Sequence, residues 1–222
     1  MRIAYVGPPG RTEMLQRWAS PGVTVETRGG GFRGAIESNY DEFVYIPSLL
    51  QNVRAIEKEG FDAAISGCFG DPGLDGIREI VRMPVVGIAE TSMHVVATLA
   101  DTFGIITPRA ELNRAMRRLA EKYQVDKRLV GVADLGCSIM EIRRDPEAQY
   151  PTLLSVGRHM VEAGADALLL GCGSMSLFAE QLQSDLNVPC LNPLRVGLRM
   201  CELLVGSGLT HSRRSYPYPS SL

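Results

Sequence analysis

Short apolar runs alternate with stretches of helical apolar spacing along the whole chain. The run RIAYVG, a helix over 12–19 after a Pro-Pro-Gly loop, and the run VTVET open the series as strand, helix, strand. Helical spacing resumes over 41–59, around Pro47, with Gly60 placed as a stop before the strand DAAIS. A helix over 72–81, the strand PVVGI, a helix over 90–100 and the strand FGIIT follow. The chain continues with a helix after Arg109, the strand LVGVA, a helix over 146–163, the strand ALLLG, and helices over 174–186 and 193–204. Strands that read as unbroken apolar runs and alternate with helices predict parallel sheet covered by helices on both faces. The class is α/β.

The alternation also repeats. Gly60-Phe61-Asp62-Ala63 leads to Gly67-Cys68, and Gly164-Ala165-Asp166-Ala167 leads to Gly171-Cys172, so 164 − 60 and 172 − 68 both equal 104. Met83-Pro84-Val85 is echoed by Val188-Pro189-Cys190, and RIAYVGPP by FGIITPR. Two pseudo-symmetric lobes are expected, joined near residues 99–103. Residues 1–98 with 195–222 form the first, the last helix packing back on it, and residues 99–194 form the second. The site belongs in the cleft between them.

Each repeat delivers a cysteine to the carboxyl end of a strand, where parallel sheets bind ligands. Asp71-Pro72 reads as an N-cap with proline in the first helical turn, and Gly173-Ser174 plays the same part after Cys172. Free N–H groups at such a corner would lower a thiol from its usual pKa of about 8.5 and hold an oxyanion. Phe69-Gly70 and Gly173-Ser174 let backbone approach a ligand. Two facing thiols, one removing a proton from a carbon beside a carbonyl and one returning it to the opposite face, give racemisation without a cofactor. Cys68 and Cys172 are the candidate catalytic pair. Cys137, Cys190 and Cys201 read as packing residues.

Composition narrows the partners. With 23 basic and 25 acidic side chains and no basic stripe, the footprint of a nucleic-acid binder is missing, and a small-molecule substrate is expected. No stretch approaches the roughly 20 apolar residues of a membrane span, and MRIAYVGPP lacks a signal core, so a cytoplasmic protein is expected. Five cysteines without a CxxC pair argue against a disulfide framework and a zinc site. His94 lies in the apolar run MHVVATLA and reads as a packed structural residue, while His159 and His211 have no second ligand at metal-binding spacing. Lys58, Lys122 and Lys127 read as solvated, which argues against a pyridoxal Schiff base, and no dinucleotide or P-loop fingerprint is present. The expected cofactor and metal content is none. Thr107, ending FGIIT, has two open roles, ligand contact or the turn before Pro108. Glu37 and Tyr40 follow the Gly-rich stretch RGGGFRGAIESNY and are either cleft-closing or surface residues. The tail SGLTHSRRSYPYPSSL reads as an irregular surface segment.

The motifs CFGDPGLD, PVVGIAE with Met93-His94, AIESNYDE and LLLGCGSM together resemble the hydantoin racemase group of the aspartate/glutamate racemase superfamily. The resemblance spans about residues 1–205. It implies a two-lobed α/β fold, cofactor-independent proton transfer with Cys68 and Cys172 as acid and base, a ligand-facing Thr107, and a homo-oligomer. The sequence departs from the group in the first loop, which reads Gly7-Pro8-Pro9-Gly10 where an Asn-Pro-Asn is usual, and in Cys172-Gly173-Ser174-Met175 where Cys-Ala-Gly-Met is common. Loss of the asparagine points to a more apolar or differently shaped ligand beside Pro8. The expected function is a racemase or epimerase acting next to a carbonyl in a hydantoin-like compound. A decarboxylase or cis-trans isomerase of the same superfamily, and a non-catalytic metabolite-binding protein, are the competing readings.

Overall fold

A computed structural model describes residues 1–29 and 35–221. The Gly-rich stretch before Ala35 lies mostly outside them. Two four-stranded parallel sheets are present among the described residues, with strand orders β2-β1-β3-β4 and β6-β5-β7-β8. The first comprises β1 (Arg2–Val6), β2 (Thr24–Arg28), β3 (Ala63–Ser66) and β4 (Val85–Gly87), and the second β5 (Phe103–Thr107), β6 (Leu129–Asp134), β7 (Ala167–Leu170) and β8 (Cys190–Leu191). The internal match in sequence is therefore a match in topology. AAIS and ALLL are buried at every position, as expected of central strands covered on both faces, whereas β2 and β6 are partly exposed edges.

The helices are α1 (Thr12–Trp18), α2 (Asn39–Lys58), α3 (Leu74–Ile80), α4 (Ile88–Leu99), α5 (Ala110–Lys122), α6 (Ile139–Arg144), α7 (Pro146–Glu162), α8 (Ala179–Leu186) and α9 (Pro193–Gly206). Ser38 caps α2, its hydroxyl accepting from Asp41 N–H at 3.2 Å. Gly60 and Gly164 take left-handed φ values of 76° and 100° after α2 and α7, where a Cβ would be strained. These matched stops set the entry angle of the two cysteine-bearing strands.

One hydrophobic cluster joins both sheets. It takes Ile3, Tyr5 and Ile65 from the first, Phe103, Ile105 and Leu169 from the second, and Met93, Val96, Leu194 and Leu198 from α4 and α9 between them. Burying side chains of this size contributes about 1.5–3 kcal/mol each, so the relative placement of the two sheets rests on the interior rather than on surface contacts. The last helix packs against α4, β3 and β4, and also against the turn that follows Cys172. Behind it, the tail docks along the end of the first sheet as an irregular segment. Thr210 Oγ donates to the Arg82 carbonyl at 2.6 Å, and Val85 N–H donates to His211 Nε2 at 2.8 Å.

Three local expectations are corrected. The short helix α6 was not foreseen, because its single turn and a half is too brief to show a period; a Ser138/Glu141 capping box starts it. The segment expected to be helical from residue 174 begins instead as a 3₁₀ turn over Gly173–Phe178, and α-helix starts at Ala179. Finally, Asp71 does not cap α3. It sits at φ 46°, and its carboxylate reaches across to the start of α4, accepting from Ala89 N–H at 3.2 Å and Glu90 N–H at 2.8 Å, and from Tyr123 Oη at 2.9 Å.

Candidate active site

A cavity of about 670 Å³ opens at the carboxyl ends of the two sheets, and both Cys68 and Cys172 line it. The reason is topological. In each sheet the chain turns outward in opposite senses from the adjacent strands β1 and β3, or β5 and β7, leaving a crevice at their ends. Gly67-Cys68 leaves β3 and Gly171-Cys172 leaves β7 at that crevice. The two corners nearly touch, since a Cβ built on Gly173 would lie 3.5 Å from the Gly67 carbonyl oxygen. All five cysteines are free thiols.

Of the other candidates from sequence, Pro8, Phe69, Gly70, Gly173 and Ser174 line the same cavity, and so does Glu37. Thr107 does not. It is wholly buried, with its hydroxyl engaged by the Arg109 carbonyl at 3.0 Å and Asn113 Oδ1 at 2.5 Å, and so it ties β5 to α5. Tyr40 is exposed and off the cavity wall, whereas the Glu37 carboxylate accepts from Ile139 N–H at 2.6 Å and fastens the segment before α2 to the start of α6. His94 is exposed rather than packed, its ring 6.2 Å from that of Tyr123. Among the described residues no cluster of three or more His, Cys, Asp or Glu has metal-binding proximity, and no helix is long and apolar enough to cross a membrane.

Several lining residues escaped the sequence reading. Tyr5 on β1 is buried beneath both corners, close enough to Gly7 and Gly67 that a Cβ at either would fall 2.6 Å and 2.4 Å from its nearest ring-system atom. Those two glycines are the one signal that a bulky ring passes there. Arg11 follows the Pro-Pro-Gly loop, and Arg143 comes from the unforeseen α6; Arg143 Nε donates to Ser174 Oγ at 3.0 Å. Leu112, Ala115 and Met116 of α5 supply an apolar wall, a role their helical spacing hides among other core positions.

The electrostatics differ from the simple helix-end expectation. Burial pushes the Cys68 thiol up to about 12, with the Gly70 N–H pulling it partly back and Cys172, Asp71 and Glu42 pushing it further. Burial also raises Cys172, but the Ser174 N–H, donated to its sulfur at 3.4 Å, and the nearby Arg143 and Arg11 charges oppose that rise. The expected lowering of both thiols is thus overturned by desolvation, which disfavours a buried thiolate more than one N–H favours it. More neighbours favour the thiolate at Cys172 than at Cys68: the Ser174 N–H and two guanidiniums at the one, the Gly70 N–H alone at the other.

A pair of like-ordered parallel sheets with a cavity between their equivalent strand ends defines a pseudo-symmetric, two-lobed α/β architecture. Comparison with known proteins makes the class specific. The family model described as Asp/Glu/Hydantoin racemase matches residues 18–201. A hydantoin racemase of Pseudomonas sp. (strain NS671) is 36% identical over 187 residues, 83% of this chain and 75% of that protein. A hydantoin racemase of Paenarthrobacter aurescens is 31% identical over 231 residues, covering 99% of this chain and 98% of its own. Among solved structures, allantoin racemase from Klebsiella pneumoniae superimposes with a TM-score of 0.92 at 28% identity, over 99% of this chain and 94% of that one. The chain belongs to the Asp/Glu/hydantoin racemase family, and it is an isomerase of the racemase type.

Proposed function

We propose that the protein racemises a small cyclic ureide, a 5-substituted hydantoin or a close analogue, by direct proton transfer between two cysteines on opposite faces of the reacting carbon. The observation that carries the reading is the convergence of Cys68 and Cys172, from equivalent positions of the two sheets, on one cavity. The named activities of the relatives supply the substrate class.

In the forward direction one sulfur, as thiolate, takes the proton from the carbon beside the ring carbonyl, and the C–H electron pair moves into the carbonyl as an enolate. The other thiol delivers its own proton to the opposite face, so the enolate collapses and the charge ends on the second sulfur. No external oxidant or cofactor is needed for this balance. Cys172, flanked by the Ser174 N–H and two guanidiniums, begins as the base, and Cys68, beside Asp71 and Glu42, begins as the acid. The Gly70 and Gly173 corners leave room for the ring to approach backbone donors. Between the faces the sulfurs should stand roughly 7 Å apart, so that each lies about 3–3.5 Å from the carbon.

Solvent deuterium entering C5 of an enantiopure hydantoin, followed with optical rotation, is the direct assay. Cys68→Ser and Cys172→Ser should each slow racemisation by about 10²–10⁴-fold, the usual contribution of a positioned acid or base. Exchange in both variants at the parent rate would remove the two-cysteine mechanism, and carbon dioxide release from a substituted malonate without racemisation of any hydantoin would replace it with a decarboxylase.

A further inference from the structure

The cavity holds two guanidiniums that no carboxylate among the described residues neutralises. Arg11 and Arg143 both line it, and neither forms an ion pair among the described residues. Arg143 spends its Nε on the neutral Ser174 hydroxyl and approaches Met140 Sδ at 3.8 Å with Nη1. The lining carboxylates are occupied elsewhere: Glu111 pairs with Arg109 at 3.2 Å, and Glu37 is held by Ile139 N–H. Glu42, the other lining carboxylate, acts on Cys68, and burial holds its carboxyl above the ordinary range, whereas the two arginines act on Cys172. Positive charge therefore gathers on the Cys172 side of the cavity, where Arg143 is joined to the cysteine corner through Ser174. Pro8, Phe69, Leu112 and Met116 add apolar lining.

An unpaired guanidinium in a partly dry cavity is stabilised when a ligand brings the missing anion, and the fork of an arginine matches a carboxylate best. We propose that Arg11 and Arg143 form an anion subsite on the Cys172 side, selecting substrates that carry a carboxylate on the substituent of the reacting carbon. The proposal rests on the racemase reading only for which carbon reacts. A ring substituent of one or two carbons ending in carboxylate places that charge beside the arginines and away from Glu42, which also fixes which ring face meets which sulfur.

The test uses hydantoin-5-acetate and its uncharged amide counterpart, titrated calorimetrically into the parent protein and into Arg11→Gln, Arg143→Gln and Arg143→Lys. The parent should bind the carboxylate about 10- to 100-fold more tightly than the amide, the range expected for a charge-assisted hydrogen-bonded pair. That ratio should fall towards one in either Gln variant and stay intermediate in Arg143→Lys. A ratio near one in the parent, a ratio unmoved in both Gln variants, or no binding of either probe overturns the subsite. If a Gln variant does not fold, the parent's ratio still decides. Deuterium exchange at C5 of the amide separates the two readings: exchange without a carboxylate preference removes the subsite and keeps the racemase, while a preference without exchange keeps the subsite and removes hydantoin racemisation.

Discussion

Alkylation of the two cavity thiols by iodoacetamide puts the charge asymmetry to a quantitative test. With Cys68 pushed up to about 12, only about one part in 10⁴ of it is thiolate at pH 8, against roughly a quarter of an ordinary thiol at about 8.5. The more basic thiolate is also more nucleophilic, with a Brønsted slope of about 0.4–0.5, which restores some one to two orders of magnitude. The net expectation is Cys68 labelling about two orders of magnitude slower than a free thiol. Burial slows the reaction further, so the profile against pH, rather than the absolute rate, is diagnostic. Peptide mapping over pH 7–10 should show the Cys68 rate climbing tenfold per pH unit with no plateau, while Cys172, helped by Ser174 N–H and the two arginines, labels first and levels off at a lower pH. Each profile is best read in the variant lacking the other sulfur. A plateau for Cys68 below pH 9, or Cys68 labelling ahead of Cys172, would refute the assigned order of ionisation.

Three further outcomes follow from the packing and the hydrogen bonds. Gly67→Ala places a Cβ 2.4 Å from Tyr5 Cε2 in a wholly buried region, so the urea midpoint should drop by the equivalent of about 1–3 kcal/mol, and an unchanged midpoint would contradict the overlap. Tyr123→Phe removes a hydroxyl donated to Asp71 at 2.9 Å and should cost about 1.5–3 kcal/mol at pH 8, where Asp71, pushed up to about 6 by burial, is ionised; a double-mutant cycle with Asp71→Asn that shows no coupling would sink this assignment. His211 accepts Val85 N–H as a neutral ring, and burial pushes its pKa from 6.5 down to about 4. The stability it contributes is full above about 6.5 and is lost as pH falls towards about 4, so unfolding curves should show a decline over that window that His211→Gln lacks.

Much of the fold was legible because its signals are local and repeated. The central strands are buried on both faces, so AAIS and ALLL are apolar at consecutive positions or nearly so, and the equal spacing of Gly60 to Cys68 and Gly164 to Cys172 reports two identical strand exits. What escaped lies where a tertiary partner outranks local preference. Asp71-Pro72 has the composition of a helix cap, yet the carboxylate goes to the unpaired N–H groups that open α4 and to Tyr123, because those donors are buried and would otherwise go unsatisfied. A left-handed aspartate is the local cost of that arrangement, about 1–2 kcal/mol.

The site divides in the same way. Its symmetric part, the two cysteines and the glycines beside them, comes from the repeat and could be read from it. Its asymmetric part comes from residues that the repeat does not share: Arg11 just after the altered first loop, Glu42 on α2, and Arg143 on a helix of six residues with no detectable period. Reversing a proton transfer between mirror-image substrates needs only the first. Telling one end of a substrate from the other needs the second, since two equivalent thiols in a neutral cavity would accept a ring in either orientation. Desolvation raises both thiols, and the uneven charges around them oppose that rise at Cys172 and add to it at Cys68. In the proposed two-cysteine mechanism the duplicated scaffold supplies the acid and the base, while the side chains that break its symmetry set how a substrate is oriented between them.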